Sequence, residues 1–277
     1  MFTSEMRKKA LEDAISSVNA LLKAGLGEPC IQLRMATQND IAGCKNVHGA
    51  VLKEDFVEIG LDDIYQKQLE NNDTNALIVA VAPDNTVVGT CCFSSSPTLG
   101  KIELINSLPS SRHEAPIGTA LMCAVLGTLQ NLNIKLASLD AQLAKFNKQE
   151  NIKIFNEQLF NWYESKFQFE ISDVTVNTLL ETAGKNIKEL PFLASVIEMS
   201  NFNLDILQLS DILNKAITDK ITLQHKSISS SRPPAFLTSE SARSSFSKKE
   251  PQSDTTTKSR KSWTEKISTA LGIKKKH

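Results

Sequence analysis

Two stretches of this 277-residue chain set chemically useful groups at fixed spacing, and two carboxylates stand close to them in sequence. In the first, a strand-like run over 101–108 leads through a polar stretch, 109–116, into an apolar helical run over 117–129. A helix start offers unpaired main-chain N–H groups and the positive end of a dipole to an anion. Ile117, Gly118 and Thr119 open that helix, while Arg112 and His113 bring side-chain charge beside it. Pro116 has no N–H to contribute, although proline is sterically welcome in a first turn. The second stretch, a helical pattern over 152–166, carries Asn156 and Tyr163 seven residues apart. A phenol is a neutral proton donor well below its pKa of roughly 10. Glu103 lies on the strand before the first helix, and Asp140 ends the strand after it.

Other chemistries find less support. Cys91-Cys92 with His48 or His113 would suggest a thiol nucleophile, but adjacent strand residues point to opposite faces and no acid orients the base. Five cysteines form an odd set with no CxxC pair, so neither a disulfide framework nor a zinc site is expected. GxxxxGK[ST], HExxH and a tight GxGxxG are absent from the sequence.

The elements that must position these groups follow from periodicity. Ser4 precedes a helical pattern to about Ala24, with Gly25 as its stop. Ile31-Gln-Leu-Arg-Met35 alternates as a half-buried strand. Thr37-Gln-Asn-Asp40 has the form of a capping box and opens an amphipathic helix through Ile41, Cys44, Val47 and Val51. Residues 76–82 and 86–93 form a hairpin around Pro83-Asp84-Asn85. Residues 134–139 and 167–171 are expected as strands. Leu179/Leu180, residues 192–199 and residues 204–217 are expected as helices.

This order, with its motifs, resembles the GCN5-related N-acetyltransferase (GNAT) superfamily over about residues 31–170. Ile117-Gly-Thr-Ala-Leu-Met is similar to that family's cofactor helix, and His113-Glu-Ala-Pro116-Ile-Gly118 falls on its [QR]-x-x-G-x-[GA] frame. Here His113 and Pro116 depart from the frame. Asn156-Glu-Gln-Leu159-Phe-Asn-Trp-Tyr163-Glu resembles N-x-x-A-x-x-[LF]-Y-E, with Phe167-Gln-Phe169 in place of Gly-Phe. The resemblance implies a mixed α/β fold whose splayed central sheet is flanked by helices, with an extra N-terminal helix and C-terminal helices. It also implies an acyl-CoA-dependent transferase that uses acetyl-CoA as co-substrate and no metal. By the same resemblance, Arg112, His113, Ile117, Gly118 and Thr119 meet the pyrophosphate. The main chain of Leu104, Ile105 and Asn106 pairs with pantetheine, and Asn156 supports that arm. Tyr163 is the acid that protonates the leaving thiolate, and Glu103, ahead of Asp140, is the candidate base. The alternative is a GNAT-shaped interaction module that has lost turnover.

The charge pattern adds partners. Lys and Arg total 31 against 31 Asp and Glu, but residues 227–277 hold 11 basic side chains against four acids, leaving +7 there and −7 on residues 1–226. A globally basic, nucleic-acid-binding chain is therefore not indicated. Residues 54–73 carry seven acids against Lys67, which favours a cationic amine acceptor such as a lysine or polyamine. The organisation expected is a helix over 1–30, the α/β unit over 31–171, a helical extension over 172–226, a disordered Ser/Thr-rich basic segment over 227–261 and a short amphipathic helix over 262–277. Trp263, Ile267, Leu271 and the lysines at 274–276 suit an anionic membrane surface or a protein partner. With no apolar run near 18 residues and no Sec-type leader, the chain is expected in the cytoplasm, or as a secreted effector acting in another cell.

Overall fold

The computed structural model describes residues 2–52, 61–70, 74–142, 144–147, 152–155, 157–171 and 196–230. The first helix, α1 (Ser4–Leu26), is capped by Thr3, whose Oγ1 accepts from the Met6 N–H at 3.2 Å, one residue before the expected cap. Ala10, Leu11, Ala14, Ile15, Val18 and Leu22 form its buried stripe. The helix passes through Gly25 and stops at Gly27, which holds φ at +77°. Gly25 serves a different end. A Cβ there would stand 2.5 Å from the Ile217 Cγ2, so its lack of a side chain lets the last helix of the fold approach α1.

Strand β1 (Gln32–Met35) is followed by a 3-10 turn (Gln38–Asp40), α2 (Ile41–Leu52) and α3 (Leu61–Glu70). Then come β2 (Asn75–Val81), β3 (Val87–Ser95) and β4 (Leu99–Ser107), each antiparallel to its neighbour. A second 3-10 turn (Ser110–His113) leads to α4 (Ile117–Asn131), which crosses over to β5 (Leu136–Gln142), parallel to β4. Most residues of β2 and β3 are apolar, Val foremost, and they are buried on both faces. One face receives α4, backed by α1; the other receives α2 and α3.

Three segments fold differently from their periodicity. Residues 152–155, expected to open a helix, form strand β7 (Ile152–Phe155), paired antiparallel with β6 (Ala144–Asn147). Helix α5 therefore begins only at Glu157 and runs to Phe167, and the strand expected from 167 is reduced to β8 (Glu170–Ile171). Residues 196–199, expected as helix, belong to β9 (Val196–Asn201), which lies antiparallel to β5 from Ala137↔Asn201 to Gln142↔Val196. The alternation in Val196-Ile-Glu-Met-Ser-Asn201 is a strand period. Met199 is buried in the core while Glu198 faces out. The sheet order is thus β1-β2-β3-β4-β5-β9-β8, and it does not close at residue 171. After a 3-10 turn (Leu204–Ile206), the last helix, α6 (Leu209–Ser230), packs on α1 and α4.

The architecture is a mixed α/β sheet flanked by helices, with an added helix at each end of the unit. Asn156, residues 54–60 and 71–73 of the acidic stretch, Leu179/Leu180 and the tail from 231 lie outside the described residues. No described helix is long and apolar enough to cross a membrane. The five cysteines are free thiols, and the described residues hold no group of three potential metal ligands.

Candidate functional site

Strands β4 and β5 start as partners and then part. Their register runs from Leu99↔Leu136 to Ile102↔Leu139 and stops, while β4 continues to Ser107 and β5 to Gln142. The cause is a β-bulge: Cys92 and Phe93 on β3 oppose Leu104 and Ile102, leaving Glu103 as the extra residue on β4. The bulge bends the strand and reverses its faces. Ile102 and Ile105 pack in the α4-side core, whereas Leu104 packs in the α2/α3-side core. Leu108 donates its N–H to Val88 O, and antiparallel alternation then directs the main chain of Leu104 and Asn106 to β3. Of the three residues expected to offer main-chain groups, only Ile105 turns them to the opening. Ser107, which the sequence reading omitted, turns its own the same way. The adjacent apolar pair Leu104-Ile105 breaks the alternation of the strand and is the signal for this reversal.

The head of α4 closes the far end of the opening. Pro116 precedes it with φ −81° and ψ 58°. The Ile117 N–H is bonded to Ala115 O at 2.9 Å, and that of Ala120 to Pro116 O at 2.9 Å. The N–H groups of Gly118 and Thr119 have no acceptor among the described residues, and no acid stands in the first turn. Ile117 itself is a core residue and contributes packing, with a hydrogen-bonded N–H. Gly89 admits this packing: a Cβ there would lie 2.5 Å from Ile117 Cγ2, so glycine lets the helix sit directly on the sheet. Arg112 reaches back to the end of β4, where its Nη2 donates to Ser107 O at 2.9 Å and its Nε to Ser107 Oγ at 3.1 Å. The guanidinium thus holds the strand end beside the helix start. His113 occupies the last position of the 3-10 turn.

Tyr163 enters from α5 on the α4 face. It is 95% buried, and its ring packs between Trp162 (4.9 Å) and Phe169 (6.1 Å). Burial, with the Cys91 thiol nearby, raises its phenol well above the ordinary value, so it stays protonated at every physiological pH. Cys91 is the register partner of Ile105, which sets the phenol beneath the open length of β4. Its hydroxyl makes no hydrogen bond among the described residues. Trp162 stands 3.7 Å from where a Gly118 Cβ would be and so links α5 to the head of α4. Gln168, at φ +55°, ends α5 in the left-handed conformation for which a glycine is the usual choice.

The carboxylates sit on the other face. Glu103 is exposed on its bulge and accepts from the Ser94 hydroxyl at 3.0 Å. Asp140 pairs with Lys101 across the start of the opening at 3.4 Å, and Glu198 is its register partner on β9. Lys101 feels all three carboxylates. Behind Asn106, on the α2/α3 face, lies a polar group that the sequence does not advertise: His48, Tyr65, Asn106 and Thr90, all buried.

No family model matches the sequence, and no curated protein matches it. Solved structures similar to this chain include Ard1 from Thermoplasma volcanium, at 17% identity over 63% of this chain and 98% of that one, with a TM-score of 0.46. An acetyltransferase from Streptococcus agalactiae matches at 13% identity over 63% and 99%, with a TM-score of 0.45. PaiA N-acetyltransferase from Thermoplasma acidophilum, in complex with coenzyme A, matches at 15% over 62% and 98%, with a TM-score of 0.41. At these values the chemistry of the site rests on its own geometry.

Proposed function

We propose that the protein moves an acyl group from an acyl-CoA thioester, acetyl-CoA in the simplest case, to a primary amine. One observation carries this reading. A strand edge left open past the Glu103 bulge runs toward a helix head whose Gly118 and Thr119 N–H groups have no partner among the described residues. An extended amide-bearing arm that ends in a pyrophosphate matches both halves, pairing along the edge and placing its anion at the helix head. Gly118 and Thr119 would hold the phosphates, Arg112 adding positive charge beside them. The Ile105 main chain would receive the pantetheine amides, as would the Ser107 N–H, and Asn156 is the remaining candidate for that arm. Acyl-CoA supplies an activated acyl group and a thiolate leaving group.

The chain's own residues then divide the proton work. Tyr163, kept neutral by burial, donates its proton to the departing sulfur from the α4 face. Glu103 accepts the proton that the attacking amine loses, directly or through water, from the opposite face. The carboxylates Glu103, Asp140 and Glu198, opposed by Lys101 alone, favour a cationic acceptor, as does the acidic stretch 54–73. A binding module without turnover is the second reading. It is favoured by the exposure of Glu103 and its tie to Ser94.

Titration calorimetry with coenzyme A and turnover of Tyr163→Phe form the test. Binding of coenzyme A by the wild type is expected, with a loss on the order of 10²–10⁴-fold in kcat for the variant at unchanged affinity. Absence of binding removes the whole reading. Full turnover by Tyr163→Phe removes only the acid.

A further inference from the structure

The open length of β4 is backed by a hydrogen-bonded group with no place in the proton scheme above. His48 Nδ1, on α2, lies 3.2 Å from Asn106 Nδ2 and 3.5 Å from the Tyr65 hydroxyl of α3. An amide NH₂ only donates, so His48 Nδ1 is the acceptor and the ring carries its proton on Nε2. All three residues are buried, and Asn106 sits between the two residues whose main chain faces the opening. Thr90 is the register partner of Asn106 on β3, hence its neighbour on the same face. Its hydroxyl faces the Tyr65 phenol and the Cys44 thiol yet completes no hydrogen bond.

An apolar trio would fill this space at lower desolvation cost, since burying three polar side chains is repaid only in part by their mutual bonds. What the polar arrangement adds is direction. It gives the Asn106 amide one acceptor while a second, Thr90 Oγ1, lies idle beside it. Protonating His48 would set a hydrogen on Nδ1 against the Asn106 amide hydrogen, with the Tyr65 phenol oxygen left to accept it, and leave the amide free to turn to Thr90.

We infer that His48 is a positioning residue: as a neutral acceptor it fixes Asn106, and through Asn106 the open length of β4, so that protonation of the ring loosens the edge on which the site depends. This rests on the reading of that edge as the ligand-bearing strand. The surroundings suit a ring kept neutral. Burial alone moves His48, downward from its ordinary value. Among the described residues, the Tyr65 phenol from α3, Cys44 one turn earlier on α2 and Cys92 from β3 are kept protonated by burial, and Lys45 stands three residues before His48 on α2. On the 3-10 turn before α2, Asp40 is committed to Arg34, and on β4 Lys101 and Glu103 lie at or before the bulge. The looser state therefore grows in as pH falls below roughly 6.5, the unperturbed histidine value.

The test uses the full chain and two variants, His48→Asn, which keeps an acceptor that cannot titrate, and His48→Leu, which keeps none. Nitrogen-15 NMR of histidine-labelled protein should show one ring, absent in both variants, bare at Nδ1 and protonated at Nε2 at pH 7.5. A charged ring at pH 7.5, or the opposite tautomer, overturns the inference. Amide exchange at Leu104 and Asn106, referenced to α4, should quicken about tenfold in His48→Leu and stay native in His48→Asn. Wild-type exchange should come to resemble that of His48→Leu as the ring titrates, while His48→Asn should not respond to pH. A uniform rise across α4 and β4 would mark a merely structural histidine and end the proposal. Coenzyme A affinity at pH 7.5 should fall about fivefold in His48→Leu alone. If wild type binds no coenzyme A, the acyl-transfer reading fails, and the exchange result still decides the role of His48.

Discussion

Helices α2 and α4 both follow a strand of the same sheet by way of a 3-10 turn, and their starts are finished in opposite ways. Before α2, the Asp40 carboxylate takes the Thr37 N–H (2.7 Å), the Thr37 hydroxyl (2.8 Å) and both arms of the Arg34 guanidinium (2.6 and 2.7 Å). Those donors, Arg34 foremost, hold the Asp40 carboxyl down at about 2. Before α4 the N-cap is Pro116, no acid stands in the first turn, and the N–H groups of Gly118 and Thr119 have no acceptor among the described residues. Every helix must dispose of orphan donors. At one terminus an acid of the chain stands beside them, held in turn by Arg34; at the other the first turn has no acid.

Converting the open terminus into a closed one should have the largest effect. Gly118 has room for a small side chain, its nearest neighbour being Trp162 at 3.7 Å. Gly118→Asp should cut coenzyme A affinity at least about a hundredfold by calorimetry, through charge repulsion and self-capping. The melting temperature should hold or rise, because an acid in the first turn is stabilising. A variant that loses stability instead would show that the open terminus is already answered inside the fold.

Breaking the closed terminus should cost stability and leave the ligand alone. Asp40→Ala should lower unfolding free energy by about 2 kcal/mol in urea titrations, since Asp40 is buried while Arg34 is 40% exposed and keeps solvent. The pH dependence has a definite sign. The folded value is depressed below the unfolded one of about 3.9, so this stabilisation is complete above pH 4 and drains away as pH falls toward 2. The wild-type acid limb should therefore be steeper than that of Asp40→Ala between pH 4 and 2. The smallest effect belongs to Thr37→Ala, about 1 kcal/mol, since Asp40 keeps Arg34 and the main-chain N–H. Equal losses for Thr37→Ala and Asp40→Ala would mean that the cap hydroxyl, not the ion pair, closes α2.

The two termini also mark how far local sequence carries. Thr37-Gln-Asn-Asp40 was legible as a capping box because all its partners lie within a few residues, and the apolar run of α4 was legible because nearly every side chain in it is buried. Arg34, the strongest partner of Asp40, was not part of that reading, since its guanidinium folds back from β1. The strand β9 was missed for the same reason on a larger scale. It is specified by pairing with β5, some sixty residues earlier, and in isolation Val196-Ile-Glu-Met199 suits either period. Residues 152–155 are a strand through their hairpin partner Ala144–Asn147 alone. At the site, Tyr163 and the Gly118-Thr119 pair stood out by spacing. The tie of Arg112 to Ser107, the bulge at Glu103 and the His48–Asn106 contact depend on which strands meet.

The placement of β9 bears on how the molecule is made. Past Leu139, β5 has lost β4 and is held in the sheet by β9, and α4 is covered by a helix whose contact with α1 lies at Ile217. At roughly 5–20 residues per second of synthesis, the stretch from Gln142 to Ile217 takes on the order of ten seconds to leave the ribosome. Throughout that interval one wall of the opening is a strand with both edges bare, an invitation to mispairing. The sheet around the opening is complete only once β9 has been delivered.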